Sequence, residues 1–421
     1  MFSNSSARHV SFSHLLLLGA ALTIGIAMVG CKDDKSAPSG GNGSSTAPTT
    51  TGSGQTPTGD KIIIGEYGSF TGDQSEFGTS TDEGVKLAVD ETNAAGGIEQ
   101  GGKKYQVQLE TEDDESNADK AVTAVKRLID EKNVSAIIGE VASKISLAGG
   151  AVCQDKGVPM ISPSSTNVAV TQNRDYVFRV CFLDSYQAAV VARWAIDGLK
   201  AKRVAVYTNK SESYSKGFAD EFKKAFTRYG GTIVSDRTYA GADTDFSGAL
   251  TAIKDSHPDA ILIPGYYKDA GTIAKQARSL GITVPLLGGD GWSANKLFQI
   301  GGDAVNGCYI SDHMSLKDPK PVVQSFVSHF KDKYHHDPTS MSALGYDAAK
   351  ILFDSIKRSK SLDKKDIRDA IAQTKDFDGV TGNITINAER NADKSAVIIA
   401  IKNGAFDYAA TIPNPEQTLK Q

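Results

Sequence analysis

The chain has 421 residues, 40% of them hydrophobic and 23% charged, with a formal net charge of −4. This size and composition fit two globular domains once the first sixty residues are set aside, and they exclude a fibrous or wholly disordered chain. Weak acidity without a basic block argues against a nucleic-acid partner.

Residues 1–31 place Arg8 and His9 ahead of an apolar run from Leu15 to Val29, which ends in Gly30-Cys31. A charged start followed by a short apolar stretch reads as an export signal and is too short and one-sided for a membrane span. Residues 32–60 begin Lys32-Asp33-Asp34-Lys35 and continue as a Ser/Gly/Thr/Pro tract with nothing to bury, which predicts a flexible linker. Beyond Cys31 the cysteines are Cys153, Cys181 and Cys308, an odd number, so outside the cytoplasm at least one is unpaired within the chain. Each lies in an apolar neighbourhood, and mostly buried thiols are expected.

From Lys61 short apolar runs alternate with segments of helical period. Ile62-Ile63-Ile64 reads as a buried strand, and Val85, Ala88, Val89 and Thr92 recur at helical spacing until Ala94-Ala95-Gly96-Gly97 stops the helix. Tyr105–Leu109 is a second strand, Ala118–Ile129 an amphipathic helix, and Ser135–Ile138 a third strand. That βαβαβ order builds a parallel sheet with right-handed crossovers. A helix near Ile145–Gln154 and strands at Val158–Ile161 and Val177–Val180 complete the first series.

The pattern then restarts. Helices are expected at Ala188–Leu199, Phe218–Tyr229, Phe246–Ile253 and Ala270–Leu280, with strands at Val204–Tyr207, Ile233-Val234, Ala260–Ile263 and Val284–Leu287. Two successive α/β series of similar size imply two lobes. Helical segments at Val322–Tyr334, Met341–Arg358 and Asp366–Ala372 follow, then strands at Ile384–Ile386 and Val397–Ile401. The helices are expected to return to the first lobe and the tail to cross back to the second.

The stretch Met160-Ile161-Ser162-Pro163-Ser164-Ser165-Thr166-Asn167 ends a strand in a proline without an N–H, then offers three hydroxyl side chains able to grip an anionic group. The same residue types also serve as helix N-caps, and Ser143, just after a strand, carries the same two readings. Asp290, flanked by Gly289 and Gly291, could pair with an ammonium or lie in a solvated turn. The acidic run Glu110, Glu112, Asp113, Asp114 and Glu115 falls between a strand and a helix, where carboxylates complement the helix dipole. HExxH, CxxC, GxSxG and the P-loop pattern are absent, and His335-His336 has no partner at ligand spacing. No metal, no cofactor and no enzymatic chemistry are therefore expected.

Several motifs in order carry a resemblance to a known family. They are Ile64-Gly65 through Thr71-Gly72, Glu76-Phe77-Gly78, Asn93-Ala94-Ala95-Gly96-Gly97-Ile98, Ile138-Gly139 through Ser143, Ile161–Thr166, Gly265-Tyr266-Tyr267, Gly289-Asp290-Gly291 and Gly345-Tyr346-Asp347-Ala348. Over residues 61–410 the chain resembles the periplasmic leucine/isoleucine/valine-binding proteins, the type I solute-binding components of branched-chain amino-acid ABC importers. The resemblance implies two Rossmann-like lobes joined by three crossover strands with ligand in the cleft: residues 61–183 plus 314–393 in lobe 1, and 184–313 plus 394–421 in lobe 2. It implies that Ser143, Ser164 (through its backbone) and Thr166, with Ser165 beside them, hold the ligand's α-carboxylate and amino group. Phe77, Tyr214 and Tyr266 match aromatic walls, Tyr266 facing the amino group. Asp290 stands where the family's branched-chain binders have Glu. Trp292 is added as a further wall on the residues alone.

Met28-Val29-Gly30-Cys31 resembles a lipobox, which makes residues 1–30 a lipoprotein signal peptide and Cys31 the lipidated first residue of the mature chain. The expectation is a lipid-anchored, monomeric, non-enzymatic protein on the periplasmic or extracellular side that captures a small α-amino acid and passes it to ABC permease subunits. A sensor that reports ligand to a receptor, or a binder of another carboxylate or an amide, is the alternative.

Overall fold

A computed structural model describes residues 60–412; the expectations for Cys31 and the segments before residue 60 lie outside the described residues. The first series runs β1 (Lys61–Gly68), α1 (Ser75–Ala94), β2 (Ile98–Gln100), β3 (Lys103–Asp113), α2 (Ala118–Asp130), β4 (Ala136–Ile138), α3 (Ser143–Lys156), β5 (Met160–Ser162) and β6 (Val177–Arg179). Its strands form one six-stranded sheet in the order β2-β3-β1-β4-β5-β6, parallel except for β2 against β3. The apolar run of β1 is buried because helices cover both faces of such a sheet. In α2 the residues Ala121, Ala124, Val125, Leu128 and Ile129 make the buried stripe, and the Asn117 side chain caps the start by accepting from the Asp119 and Lys120 N–H groups.

The second series is α4 (Asp184–Asp197), β7 (Arg203–Asn209), α5 (Ser213–Arg228), β8 (Thr232–Tyr239), α6 (Ser247–Asp255), β9 (Ala260–Leu262), α7 (Tyr267–Ser279), β10 (Leu286–Gly288), α8 (Lys296–Gly301) and β11 (Tyr309–Asp312). Three helices follow, α9 (Pro321–Tyr334), α10 (Ser340–Arg358) and α11 (Lys364–Ala372). The chain ends in β12 (Phe377–Gly379), β13 (Gly382–Ile386), β14 (Ala392–Asp393), β15 (Val397–Lys402) and β16 (Ala405–Thr411). The second sheet has seven strands, β16-β15-β11-β10-β9-β7-β8, in which β15 and β16 run antiparallel to their neighbours.

After β11 the chain returns to the elements of the first series, where α10 lies directly on α1. Glycine makes that approach possible: a Cβ on Gly84 would stand 1.9 Å from the Ser342 carbonyl, and one on Gly345 would stand 2.4 Å from that of Thr81. The chain thus passes between the two sheets three times, after β6, after β11 and after β14. Three details differ from the sequence reading. The strand at Ile384–Ile386 joins neither large sheet but a small β12-β13-β14 sheet. The hairpin partner β2 and the terminal β16 were not foreseen, because a three-residue strand and a half-exposed edge strand carry little apolar period. Finally, β3 runs on to Asp113, so part of the acidic run is strand, and Asp113 accepts from the Phe70 and Thr71 N–H groups rather than facing a helix end. Cys153, Cys181 and Cys308 are buried free thiols.

Candidate functional site

In the first jaw, the loops that leave β4 and β5 lie side by side at the carboxyl edge of the sheet, where open α/β sheets take ligands. Ser143 is the first residue of α3 and not its cap; Ala142 holds the cap position without a side-chain bond. The Ser143 hydroxyl accepts from the Asn167 N–H at 3.3 Å, which leaves its proton available. The helix start anticipated after Ser164 is a single 3-10 turn, Val168–Val170, and its cap is Asn167, whose side chain accepts from the Ala169 N–H. Ser164, Ser165 and Thr166 form an open loop ahead of it.

Their hydroxyls are all engaged within the protein. Ser164 Oγ donates to the Val141 carbonyl at 3.2 Å, Ser165 Oγ to the Glu140 carbonyl at 3.0 Å, and Thr166 Oγ1 to Asp184 Oδ1 at 2.7 Å. By contrast, the backbone N–H groups of Ser164 and Thr166 have no partner among the described residues. The buried Arg179 guanidinium fixes this loop from behind, donating to the carbonyls of Ser165 and Asn167 and to Thr171 Oγ1. Burial pushes the Asp184 carboxyl up to about 7, against the hydrogen bond from Thr166.

In the second jaw, Asp290 opens a one-turn 3-10 helix, Asp290–Trp292, directly after β10. Tyr214 crosses over this turn and accepts from the Gly291 N–H at 3.2 Å. Its passage requires the two glycines: a Cβ on Gly289 would lie 2.6 Å from the Tyr214 hydroxyl, and one on Gly291 2.8 Å from its ring. Tyr214 stacks on Tyr266 at 5.2 Å between ring centroids, and Phe77 of the first jaw meets Tyr266 edge-on at 6.0 Å. Burial pushes both phenols well above their ordinary range.

Asp290 is 3% exposed, yet its Oδ1 has no hydrogen-bond partner among the described residues; its Oδ2 lies 3.1 Å from His313 Nε2. Burial pushes His313 down to about 4, against the pull of Asp290, so at neutral pH the imidazole is uncharged. A carboxylate partner selects the tautomer with the proton on Nε2.

Phe77, Ser143, Ser164, Tyr214, Tyr266 and Asp290 line one narrow cavity, of about 10 Å³, with Val141, Gly291 and Met341. Ser165 and Thr166 sit behind that lining. Trp292 faces away from it, fully buried, with its indole N–H donating to the Ile263 carbonyl at 3.1 Å. Val141, Met341 and His313 escaped the sequence reading: each comes from a different segment, and no local pattern marks it. The rims are shut. Lys268 pairs with Asp73 at 2.6 Å, the Tyr267 hydroxyl donates to the Asp73 carbonyl at 2.8 Å, the Glu76 carboxylate accepts from the Lys296 N–H at 2.7 Å, and Asn167 Nδ2 donates to the Ser213 carbonyl at 2.8 Å. A larger groove of about 580 Å³ runs along residues 313–320, where Lys317 pairs with Asp407 at 2.6 Å.

Two doubly wound sheets, three connections and a closed cavity lined from both sides define a hinged binding protein of the periplasmic type. A family model described as periplasmic binding protein matches residues 61–405, and the chain belongs to that family. Among similar proteins, the Leu/Ile/Val-binding protein BraC3 of Rhizobium johnstonii is 30% identical over 330 residues, 77% of this chain and 87% of that one. The solved structure of a leucine-binding protein, LivK, from Thermotoga maritima is 40% identical, with a TM-score of 0.80 over 85% of this chain and 99% of its own. That of LivJ from Streptococcus pneumoniae, in complex with isoleucine, is 35% identical, with a TM-score of 0.79 over 84% and 99%. Among the described residues no helix is long and apolar enough to cross a membrane.

Proposed function

We propose that this protein is an extracytoplasmic solute-binding protein that closes its two jaws on a small neutral α-amino acid and delivers it to an ABC permease. One observation carries the reading: a small cavity is lined in one jaw by Ser164, whose N–H has no partner among the described residues, and in the other by Asp290, whose Oδ1 has none, with the equally unpartnered N–H of Thr166 two residues beyond Ser164. A buried donor or acceptor without a partner is costly, and a zwitterion satisfies both at once. Its carboxylate takes the donors of Ser164, Thr166 and Ser143, and its ammonium takes Asp290. The remaining lining, Phe77, Val141, Tyr214, Tyr266 and Met341, offers no charge to a ligand side chain, which favours a neutral one. The similarity to the isoleucine-bound LivJ supports a branched aliphatic side chain.

In this reading residues 61–183 plus 314–393 move as one jaw and 184–313 plus 394–421 as the other. Cys31 carries the lipid that holds the protein, a monomer without enzymatic activity, at the membrane near its permease. Calorimetric titration with neutral amino acids, their deaminated acids and their amides tests it. Amino acids are expected to bind and both derivatives to lose most of the affinity. A deaminated or aromatic acid that binds more tightly than every amino acid would overturn the reading.

A further inference from the structure

The carboxylate of Asp290 is held from outside its own turn. His313, which contacts Asp290 Oδ2, stands one residue beyond β11, in the second connection between the sheets. Its ring stacks on Phe182 with 3.8 Å between centroids and 17° between planes, and Phe182 belongs to the first connection, between β6 and α4. The His313 backbone N–H donates to Asp312 Oδ1 at 2.7 Å, while Asp312 Oδ2 accepts from Ser293 Oγ, itself bonded by Ser340 Oγ at the start of α10. The facing side chains of His313 and Asp290 are 0% and 4% exposed.

Resting on the amino-acid reading above, we propose that His313 is a positioning residue: it aims Asp290 at the ligand ammonium and ties that contact to the connections about which the jaws move. The chemistry of the pair fits the task. A neutral imidazole donates one hydrogen bond to Oδ2, which fixes the carboxyl rotamer and leaves Oδ1 free. Because the donor is uncharged, the pair keeps its negative charge for the ligand; a lysine or arginine in that place would cancel it. The coupling follows from location. Ligand drives closure only through contacts that differ between open and closed forms, and connections are where backbone angles change when jaws swing. A side chain stacked between two connections and bonded to the ammonium-reading carboxylate makes the geometry of that carboxylate depend on hinge angle.

The test compares His313→Leu, which removes the donor, with His313→Gln, which retains one. Each is titrated with leucine and with 4-methylpentanoate, its deaminated counterpart, and checked for folding by circular dichroism. The expected result is that His313→Leu loses at least about tenfold of the preference for leucine. His313→Gln should recover most of it, and affinity for 4-methylpentanoate should stay within about threefold in both. A merely structural role would lower both affinities together, and that result, or an unchanged preference, overturns the proposal. If His313→Leu does not fold, His313→Asn, too short to reach Asp290, carries the same comparison. If the unmodified protein shows no preference for leucine or any other neutral amino acid over its deaminated acid, the ammonium reading of Asp290 has failed first, and the role of His313 falls with it.

Discussion

The two jaws meet the cavity by different means. The first presents the backbone N–H of Ser164 and one free hydroxyl proton on Ser143, with the unpartnered N–H of Thr166 behind them and its other hydroxyls committed to its own carbonyls and to Asp184. The second presents a single carboxylate, Asp290, framed by Tyr214 and Tyr266. Backbone donors stay in place when a side chain is changed, and here the buried Arg179 clamps the loop through the carbonyls of Ser165 and Asn167. A side-chain carboxylate is lost with one substitution. The site is therefore robust on its anion-binding side and fragile on its cation-binding side, and substitutions should expose that asymmetry.

The largest effect is expected from Asp290→Asn, which keeps the shape and an acceptor for His313 while removing the charge. Affinity for the preferred amino acid should fall at least about a hundredfold, roughly 3 kcal/mol, in calorimetry. A loss under about tenfold would break the comparison from the second jaw's side. Ser143→Ala comes next: it deletes the first jaw's one free hydroxyl donor to a charged group, and about 1.5–2 kcal/mol of binding, or ten- to thirtyfold, should disappear.

A third expectation concerns the carboxyl behind the first jaw. Burial raises Asp184 from 3.8 to about 7, so its contribution to stability is fully present below its unfolded pKa and lost as pH rises through 7. His313, lowered from 6.5 to about 4, and Lys394, lowered to about 8, act in the opposite sense and offset part of this loss between pH 6 and 8. Between pH 6 and 8 the Asp184 carboxyl by itself should remove about 1.4 kcal/mol of stability. Chemical denaturation of the protein and of Asp184→Asn at those two pH values measures it: from pH 6 to pH 8 the variant should gain about 1.4 kcal/mol on the parent, and an unchanged difference would place the titrating group elsewhere.

The smallest effect belongs to Ser164→Ala. Its hydroxyl serves only Val141, and its N–H survives the change, so affinity should move by less than about threefold. If this variant lost as much as Ser143→Ala, the hydroxyl and not the backbone would be the ligand contact, and the contrast between the jaws would narrow.

Much of this architecture was legible in the sequence because it rests on local period. Strands buried on both faces read as apolar runs, as at Ile62-Ile63-Ile64, and amphipathic helices read as stripes, as in Ala118–Ile129. Restarting that pattern after residue 180 announced two sheets, and motif order brought Phe77, Ser143, Ser164, Tyr214, Tyr266 and Asp290 forward as candidates for one cleft. Local pattern was silent wherever partners are distant. Nothing around residue 313 marks it as the partner of Asp290, and nothing around residue 341 marks a cavity wall. Ser165 and Thr166, adjacent to Ser164 and chemically alike, could not be told apart from it until their hydroxyls were seen bonded to Glu140 and Asp184. Trp292 could face either way until its indole was seen on Ile263.

The sequence by itself determined the elements, the two-sheet order and the edge on which a site would form, since each follows from propensity and spacing along one stretch of chain. Only the tertiary structure decided which polar groups are already satisfied and which are left for a ligand. That is a property of pairs: a hydroxyl and an N–H on the same residue part company once one is bonded and the other is not, and the bond depends on residues tens of positions away.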